Sequence, residues 1–227
     1  MKIALIGYGK MGHAVEAAAH GRGHATGATI DTPADWQGCT EALKGCDVAF
    51  EFSTPATAVE NILRCFDAGL PVVSGTTGWN SRLEEVVELC RRRGQALFVA
   101  SNFSIGMNIM FELNRRLATL MAGREGYHVS ISETHHIHKL DAPSGTAITL
   151  AEEIKAQFPD SRVGIPIASH RIGEVAGIHE VVYDSDEDTL TLRHEAKSRR
   201  GLALGAVLAG EYLVGRKGYY TMHDLLN

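Results

Sequence analysis

The sequence is poor in three features: long apolar runs, excess positive charge and paired cysteines. No apolar stretch reaches the ~20 residues that a membrane-spanning helix needs. The run 3–6 is too short for the hydrophobic part of a signal peptide. The formal net charge of -5 argues against nucleic acid or an anionic membrane surface as a partner. We therefore expect a cytoplasmic protein that acts on a small molecule.

The cysteines lack the spacing of a metal or redox motif. None forms a CxxC pair, and all of them fall in the first half of the chain. Because a cytosolic compartment keeps thiols reduced, we expect free thiols rather than disulfides. The residues are Cys39, Cys46, Cys65 and Cys90.

What the chain does contain is a strand–helix alternation in its first half. With 227 residues, 44% hydrophobic and 22% charged, it suits one large domain or two small ones. We predict strands over 2–6, 25–31, 47–52, 70–74 and 95–100. We predict helices over 11–20, 57–68 and 81–93, the last capped by Ser81. This alternation predicts an α/β Rossmann-type domain with a parallel sheet over residues 1–105.

The second half changes character. We predict helices over 108–121 and 144–158, and strands over 127–133, 165–170, 179–184 and 189–195. Several strands with two helices indicate an α+β domain with a mixed or antiparallel sheet, assigned to 106–202 and to substrate binding. The tail is apolar and predicted to be helical from 202 to 214, and we treat 203–227 as one C-terminal helical segment.

A glycine-rich motif joins the first predicted strand to the first helix. In a GxGxxG loop the first glycine permits a tight turn, the second admits a pyrophosphate, and the third allows close strand–helix packing. The N-terminus of the helix then offers N–H groups to the phosphates. An ordinary glycine-rich turn is the alternative. The predicted dinucleotide loop consists of Gly7, Tyr8, Gly9, Lys10, Met11 and Gly12.

An acidic residue ends the second predicted strand. Asp31 lies nineteen residues after Gly12, where a carboxylate accepts hydrogen bonds from ribose hydroxyls and repels a 2′-phosphate. Thr32 follows it, so NADH is favoured over NADPH. Lys10 partly offsets that repulsion, which keeps NADPH open. A turn-capping role for Asp31 is the alternative.

Small and hydroxyl-bearing residues follow the later strands of the first half. In open α/β sheets, ligands lie beyond the carboxyl ends of the strands. These loops are therefore predicted to flank the nicotinamide, and plain loop chemistry is the alternative. The predicted contacts are Phe52, Ser53, Gly75, Thr76, Thr77, Ala100, Ser101, Asn102 and Phe103.

The most informative segment is 133–147, ETHHIHKLDAPSGTA. Three histidines and Lys139 fall within five residues at the end of a strand, and Pro143 turns the chain. Ser144-Gly145-Thr146 then opens a helix, whose N-terminus is suited to an anion such as a carboxylate. A zinc site at His135, His136 and His138 is one alternative, although their spacing is too close for convergence. A solvated basic loop is the other.

These motifs resemble the dihydrodipicolinate reductase family almost end to end. The resemblance rests on E-x-HHxxK-x-DAPSGTA from residue 133, GTTG at 75–78 and SNFSxGxN from residue 101. It extends to SHRIG at 169–173 and HEAKSR at 194–199. Two departures concern the cofactor: the family's nucleotide loop is commonly one residue longer, and a basic residue commonly stands where this chain has Thr32.

The resemblance implies roles for individual residues. His135 is the implied general acid or base, with Lys139 as proton donor or electrostatic partner. The substrate carboxylates are implied to bind His136, Lys139, Ser144, Gly145 and Thr146. Arg199 is the implied cofactor contact outside the first domain. The resemblance also implies a homotetramer built through the second-domain sheets, and a last helix that returns to the first domain.

The implied reaction reduces 4-hydroxy-tetrahydrodipicolinate to tetrahydrodipicolinate with NADH or NADPH in lysine biosynthesis. Hydride adds to C4 of a cyclic unsaturated imine dicarboxylate, and C3 accepts a proton. This expectation requires residues 135–146 to meet the nicotinamide face. The rivals are another dehydrogenase of similar architecture, acting on an amino acid or a semialdehyde, and a non-catalytic NAD-binding regulator.

Overall fold

The computed structural model describes residues 1–158 and 164–227. The chain divides into two compact units. Met1–Ile105 together with Arg200–Asn227 forms the first, and Gly106–Arg199 forms the second. The second unit is therefore one continuous stretch inserted between two parts of the first.

The strands and the helices are each numbered in the order in which they occur along the chain. The strands are β1 (Lys2–Ile6), β2 (Ala25–Ile30), β3 (Val48–Glu51), β4 (Val72–Ser74), β5 (Ala96–Val99), β6 (His128–His135), β7 (Ile167–Arg171), β8 (Ile178–Asp184), β9 (Thr189–Glu195) and β10 (Gly218–Tyr220). The helices are α1 (Lys10–Gly21), α2 (Thr40–Lys44), α3 (Ala58–Asp67), α4 (Leu83–Arg92), α5 (Ile105–Met121), α6 (Gly145–Lys155), α7 (Arg200–Leu213) and α8 (Met222–Leu226).

The first unit is a parallel sheet with helices on both faces. Its strand order is β10-β5-β4-β3-β1-β2, and every neighbouring pair is parallel. Strands β3 and β4 are buried along their whole length, because helices cover both faces of the sheet. One core contains Ile62 of α3 and Val86 of α4, and the other contains Val15 of α1 and Val207 of α7. The prediction of a Rossmann-type α/β fold is confirmed.

Helix α7 packs closely against strand β3 and the segment after β5. A Cβ atom at Gly205 would overlap the carbonyl oxygen of Phe103, and one at Gly210 would lie 2.5 Å from the ring of Phe50. Glycine at both positions therefore sets how near the helix axis comes to β3 and to the segment after β5.

The C-terminal tail differs from its prediction as one helical segment. Helix α7 ends at Leu213, and the chain then forms β10, which pairs parallel with β5 and becomes the edge strand of the sheet. The short helix α8 follows. The prediction of a Ser81 cap is also wrong, since Ser81 lies inside a 3₁₀ turn, Asn80–Arg82, and α4 begins at Leu83.

The second unit is a mixed four-stranded sheet covered by α5 and α6. Its order is β7-β6-β8-β9, with β6–β7 parallel and the other pairs antiparallel. Ile131, Leu150, Val181 and Tyr183 pack together in its core. The prediction of an α+β unit with a mixed sheet is confirmed. In the described part of the chain, no helix has the length and apolarity needed to cross a membrane.

Candidate active site

The glycine loop between β1 and α1 has the geometry of a dinucleotide loop. Gly7 adopts φ +86°, a conformation that side chains disfavour. A Cβ there would overlap the carbonyl oxygen of Phe52, and a Cβ at Gly12 would overlap that of Gly7. Around Gly9, by contrast, no atom of the described chain lies within 4 Å of a built Cβ. This open position is where a pyrophosphate would approach the backbone at the start of α1. Tyr8, Lys10 and Met11 lie in the same loop and first helical turn.

Asp31 lies directly after β2, beside the glycine loop. Its Oδ1 accepts a hydrogen bond from the backbone N–H of Tyr8 at 2.6 Å. A cavity of about 400 Å³ opens next to it. Of the predicted cofactor contacts, those that line this cavity are Gly7, Gly9, Asp31, Phe52 and Ser53.

Trp36 and Arg64 are among the lining residues of this cavity that were not predicted from the sequence. The guanidinium of Arg64 lies 5.0 Å from the ring centroid of Trp36, over its face. Trp36 ends a 3₁₀ turn after Asp31, and Arg64 belongs to α3. A flat aromatic wall, a cation and a carboxylate together give this cavity the chemistry of an adenosine pocket.

The loops after β3 and β4 are joined by a buried carboxylate. Glu51, the last residue of β3, is fully buried and accepts hydrogen bonds from Ser74 Oγ at 2.8 Å and Thr76 Oγ1 at 3.0 Å. It also accepts from Ser53 N–H at 3.2 Å. Gly75 is required here because a Cβ would overlap the ring of Phe52. Thr77 is exposed beside them.

The loop after β5 carries the remaining predicted nicotinamide contacts. Asn102 accepts a hydrogen bond from the N–H of Ser104 at 2.9 Å, and Phe103 is buried with its ring centroid 5.8 Å from that of Phe52. Ala100 is half-buried and Ser101 is exposed. These residues therefore lie at the same edge of the parallel sheet as the loops after β3 and β4, where ligands bind in such folds.

In the second unit, His135 ends β6 and is held by an acid from its own strand. Its Nδ1 is hydrogen-bonded to Oε2 of Glu133, which is fully buried. Arg171, opposite on β7, donates to the same carboxylate, from Nη2 to Oε1 at 2.9 Å and from Nη1 to Oε2 at 3.1 Å. His179 on β8 meets His135 edge to face at 5.0 Å. Neither Glu133, Arg171 nor His179 was predicted as a site residue.

Lys139 lies in the turn after His135 and contacts a carboxylate. Its Nζ donates to both oxygens of Asp141, at 2.8 and 2.9 Å. This hydrogen bond from Lys139 lowers the pKa of Asp141, and the backbone N–H of Gly145, at the start of α6, adds a smaller effect in the same direction.

Ser144 caps α6 and is buried behind this point. Its Oγ accepts from the N–H of Ala147 at 3.2 Å and lies 3.1 Å from Nε2 of His179. Its backbone N–H donates to Glu133 at 3.3 Å. Gly145 is exposed and Thr146 half-buried in the first turn of α6. The capping side chain of Ser144 therefore faces the interior, whereas Gly145, the first residue of α6, is exposed.

The other histidines of the segment separate from His135. His136 Nε2 lies 3.4 Å from Nη2 of Arg199, and His138 is largely exposed beside Glu174. Arg199 thus lies in the second unit, next to a predicted substrate contact. In residues 1–158 and 164–227, no three metal-ligating side chains are placed to share an ion.

Burial and charge set the protonation of this cluster. Burial lowers the pKa of His135, while the hydrogen bond to Glu133 opposes that shift. Burial alone would raise the pKa of Glu133, but hydrogen bonds from Arg171, Ser169 and His135 outweigh it and lower the pKa to about 2. Burial lowers the pKa of His179 to about 4. At neutral pH the cluster thus contains an ionised glutamate and a neutral His179.

These shifts predict acid-sensitive stability. Between its ordinary value of 6.5 and about 4, His179 takes up a proton only when the chain unfolds, so stability falls as the pH falls through that range. Glu133 lowers the stability further as the pH falls from 4.5 to about 2, because there too only the unfolded chain takes up the proton. Urea unfolding followed by circular dichroism should show a His179→Gln variant with a shallower slope above pH 4, by up to about 1.4 kcal/mol per pH unit. Equal slopes of stability against pH in the two proteins would show that His179 does not cause the acid sensitivity.

The fold and the loops at its sheet edge define an NAD(P)-dependent oxidoreductase, with a Rossmann unit and a second α/β unit. The family model described as dihydrodipicolinate reductase, N-terminus matches residues 1–103, and the one described as dihydrodipicolinate reductase, C-terminus matches residues 106–226. The chain therefore belongs to the dihydrodipicolinate reductase family.

Individual relatives agree with this assignment. The chain is 44% identical to the 4-hydroxy-tetrahydrodipicolinate reductase of Christiangramia forsetii, covering 100% of this chain and 98% of the relative. It is 37% identical to that of Akkermansia muciniphila, covering 96% and 94%. A solved dipicolinate-bound dihydrodipicolinate reductase from Paenisporosarcina sp. TG-14 superposes with a TM-score of 0.81 at 22% identity, covering 97% of each chain. This last similarity concerns the fold.

Proposed function

We propose that this chain reduces 4-hydroxy-tetrahydrodipicolinate to tetrahydrodipicolinate with NAD(P)H, in the diaminopimelate route to lysine. The observation that carries the proposal is the pairing of Lys139 Nζ with both oxygens of the Asp141 carboxylate, a few residues before the start of α6. The segment that provides it follows directly on His135, so anion-binding groups and a proton-exchanging group lie on one short stretch of chain.

A substrate carboxylate is proposed to exchange with Asp141. The side chain of Asp141 is 57% exposed and that of Lys139 is 22% exposed, so the pair can be reached from solvent. Lys139 and the N-terminus of α6 offer a ligand the same charge-assisted contacts that Asp141 accepts. His136, Ser144, Gly145 and Thr146 are the further proposed contacts for the dicarboxylate. The relative with dipicolinate bound supports a small dicarboxylate as ligand.

The cofactor loops of the first unit are proposed to orient NAD(P)H. When bound, it supplies the hydride, which adds to C4 of the substrate. Gly9 would admit the pyrophosphate and Asp31 would accept from the ribose. The residues after β3, β4 and β5 would flank the nicotinamide. For Arg199, a cofactor contact stays a prediction.

The second unit is proposed to supply the proton that C3 receives. Two groups are candidates, His135 and Lys139. Lys139 is engaged by Asp141, and its proposed role is to hold a substrate carboxylate. His135 has one nitrogen held by Glu133 and the other available for exchange, so we assign the proton transfer to His135.

NADH is the proposed preferred cofactor. Because the carboxylate of Asp31 borders the cavity, it would repel a 2′-phosphate. Arg64 lines the same cavity and counteracts that repulsion in part, though Glu60 already pairs with it. Use of NADPH at lower efficiency is therefore part of the proposal.

An Asp31→Ala variant tests this preference. We expect the ratio of kcat/KM for NADH over NADPH to fall about 10-fold, the value of one charge-assisted hydrogen bond. The ratio is the readout because distortion of the Tyr8 contact would weaken both cofactors alike. Glu41→Gln, a highly exposed acid on α2, is the control and should leave the ratio unchanged. An unaltered ratio in Asp31→Ala would show that another residue sets the preference for NADH over NADPH.

The decisive experiment is a steady-state assay with freshly prepared 4-hydroxy-tetrahydrodipicolinate, followed by the loss of NADH or NADPH absorbance. Turnover that saturates with substrate is the expected result. Turnover only with an amino acid or with aspartate semialdehyde would favour a different dehydrogenase. Binding of NADH without turnover of any of these would favour a regulator. A homotetramer and a cytoplasmic location stay predictions.

A further inference from the structure

A fully buried ion pair lies behind the residues assigned to the reaction. Glu133 has no exposed surface, yet its carboxylate is hydrogen-bonded to His135 Nδ1, twice to Arg171 and to the Ser144 N–H, besides the contact with Ser169. A buried charge is tolerated only when it is paired and hydrogen-bonded, and removing one partner is costly. The carboxylate therefore has fixed neighbours on β6, on β7 and at the start of α6.

Arg171 extends this arrangement to the turn that bears Lys139. Its guanidinium donates to the carbonyl oxygens of Lys139 at 3.3 Å, Asp141 at 2.6 Å and His170 at 2.6 Å, besides the two bonds to Glu133. One planar cation thus joins the end of β6 to the turn 136–143.

We propose that Glu133 and Arg171 are positioning residues: Glu133 fixes the ring orientation and tautomer of His135, and Arg171 fixes Glu133 together with the turn carrying Lys139. The proposal rests on the proposed function for its catalytic consequence. With Nδ1–H donated to Glu133, Nε2 is the nitrogen that exchanges the proton with substrate. Gly177 borders that atom, since a Cβ there would lie 3.1 Å from Nε2.

The charged and titratable groups around His135 shift its pKa in opposite directions. Glu133 on its own strand favours the imidazolium. Arg171 on β7, His179 on β8 and Lys139 in the following turn all act against it. Removing the charge of Glu133 and removing that of Arg171 should therefore move the titration of His135 in opposite directions. The tautomer of His135 is the further readout, because a contact that does not orient the ring would leave the tautomer unchanged.

The test is a ¹⁵N NMR titration of the histidine rings in the free protein, with His135 assigned by comparison with His135→Gln. In the unaltered protein we expect the Nδ1–H tautomer. In Glu133→Gln we expect the Nε2–H form to appear and His135 to titrate at lower pH. In Arg171→Gln we expect His135 to titrate at higher pH. Glu180→Gln, on the neighbouring strand β8, is the matched control and should change neither property.

The kinetic arm measures kcat and KM with the dicarboxylate substrate. Glu133→Gln should lower kcat on the order of 10-fold or more with KM changed far less, because an incorrectly oriented imidazole fails in the transition state. Glu133→Asp, which keeps the charge, should recover part of the loss. Arg171→Gln should alter kcat and KM together, since the turn with Lys139 loses its anchor.

The outcomes separate the proposal from the proposed function. A wild-type tautomer and an unmoved titration of His135 in Glu133→Gln would overturn the proposal, whatever the kinetics. Tautomer and titration changes without any turnover of the dicarboxylate by the unaltered protein would support the positioning and reject the proposed function. If Glu133→Gln does not fold, Arg171→Gln carries the titration, and an unmoved titration of His135 in that variant overturns the proposal.

Discussion

Replacing His135 with alanine is expected to lower kcat by about 10²- to 10⁴-fold, the usual contribution of a positioned acid or base. KM should change by only a few fold, because the anion-binding groups at Lys139 and the start of α6 remain. The measurement is steady-state kinetics with NADH across pH. In the unaltered protein, kcat should fall where the imidazole loses its proton, and that pH dependence should disappear in the variant.

The matched control is His138→Ala. His138 lies in the same turn, but its side chain is 71% exposed and lies 3.5 Å from the carboxylate of Glu174. It should retain nearly full kcat. If His135→Ala keeps normal kcat and Lys139→Ala loses it, the proton comes from Lys139 and the assignment to His135 is wrong.

Gly9→Ala is expected to weaken NADH binding about 5- to 150-fold, which corresponds to ~1–3 kcal/mol of steric overlap with the pyrophosphate. The free protein has room for this methyl group, and Gly9 has φ -80°, which alanine accepts. The melting temperature without cofactor should therefore remain unchanged. Binding is measured by titration calorimetry and stability by thermal unfolding.

Two further glycines of the same helix make this prediction specific. Gly21 ends α1 with no atom near a built Cβ, so Gly21→Ala should change neither binding nor stability. Gly12→Ala should lower both, because its Cβ would overlap the carbonyl oxygen of Gly7. A Gly9→Ala protein that binds NADH normally would show that the pyrophosphate does not approach this backbone.

Most of the first-unit fold was predictable because its strands are buried on both faces. Such strands appear in the sequence as short apolar runs, as in β1 and β3, and glycines mark their ends. Strand β10 was not predicted, since three half-buried residues have no periodicity. Its pairing with β5 depends on a contact between residues more than a hundred positions apart, which local patterns do not encode.

The site was predictable where one short segment contains it. His135, Lys139 and the Ser144 cap lie within ten residues, so one motif predicts all three as candidates. Arg171 was missed because its role depends on the register that places it opposite His135 on β7. Glu133 left a usable signal: it lies on the same face of β6 as Ile131 and His135, so an acid at an inward-facing position needed a partner. Trp36 and Arg64 meet only through tertiary packing.

The interrupted course of the first unit has a consequence for biosynthesis. Domains ordinarily fold in the order in which the ribosome makes them. Here the second unit is complete once residue 199 has left the exit tunnel, whereas the Rossmann sheet still awaits α7 and its edge strand β10. The later-made unit is thus able to finish first, and the cofactor-binding sheet acquires its last strand only after β10 has been made.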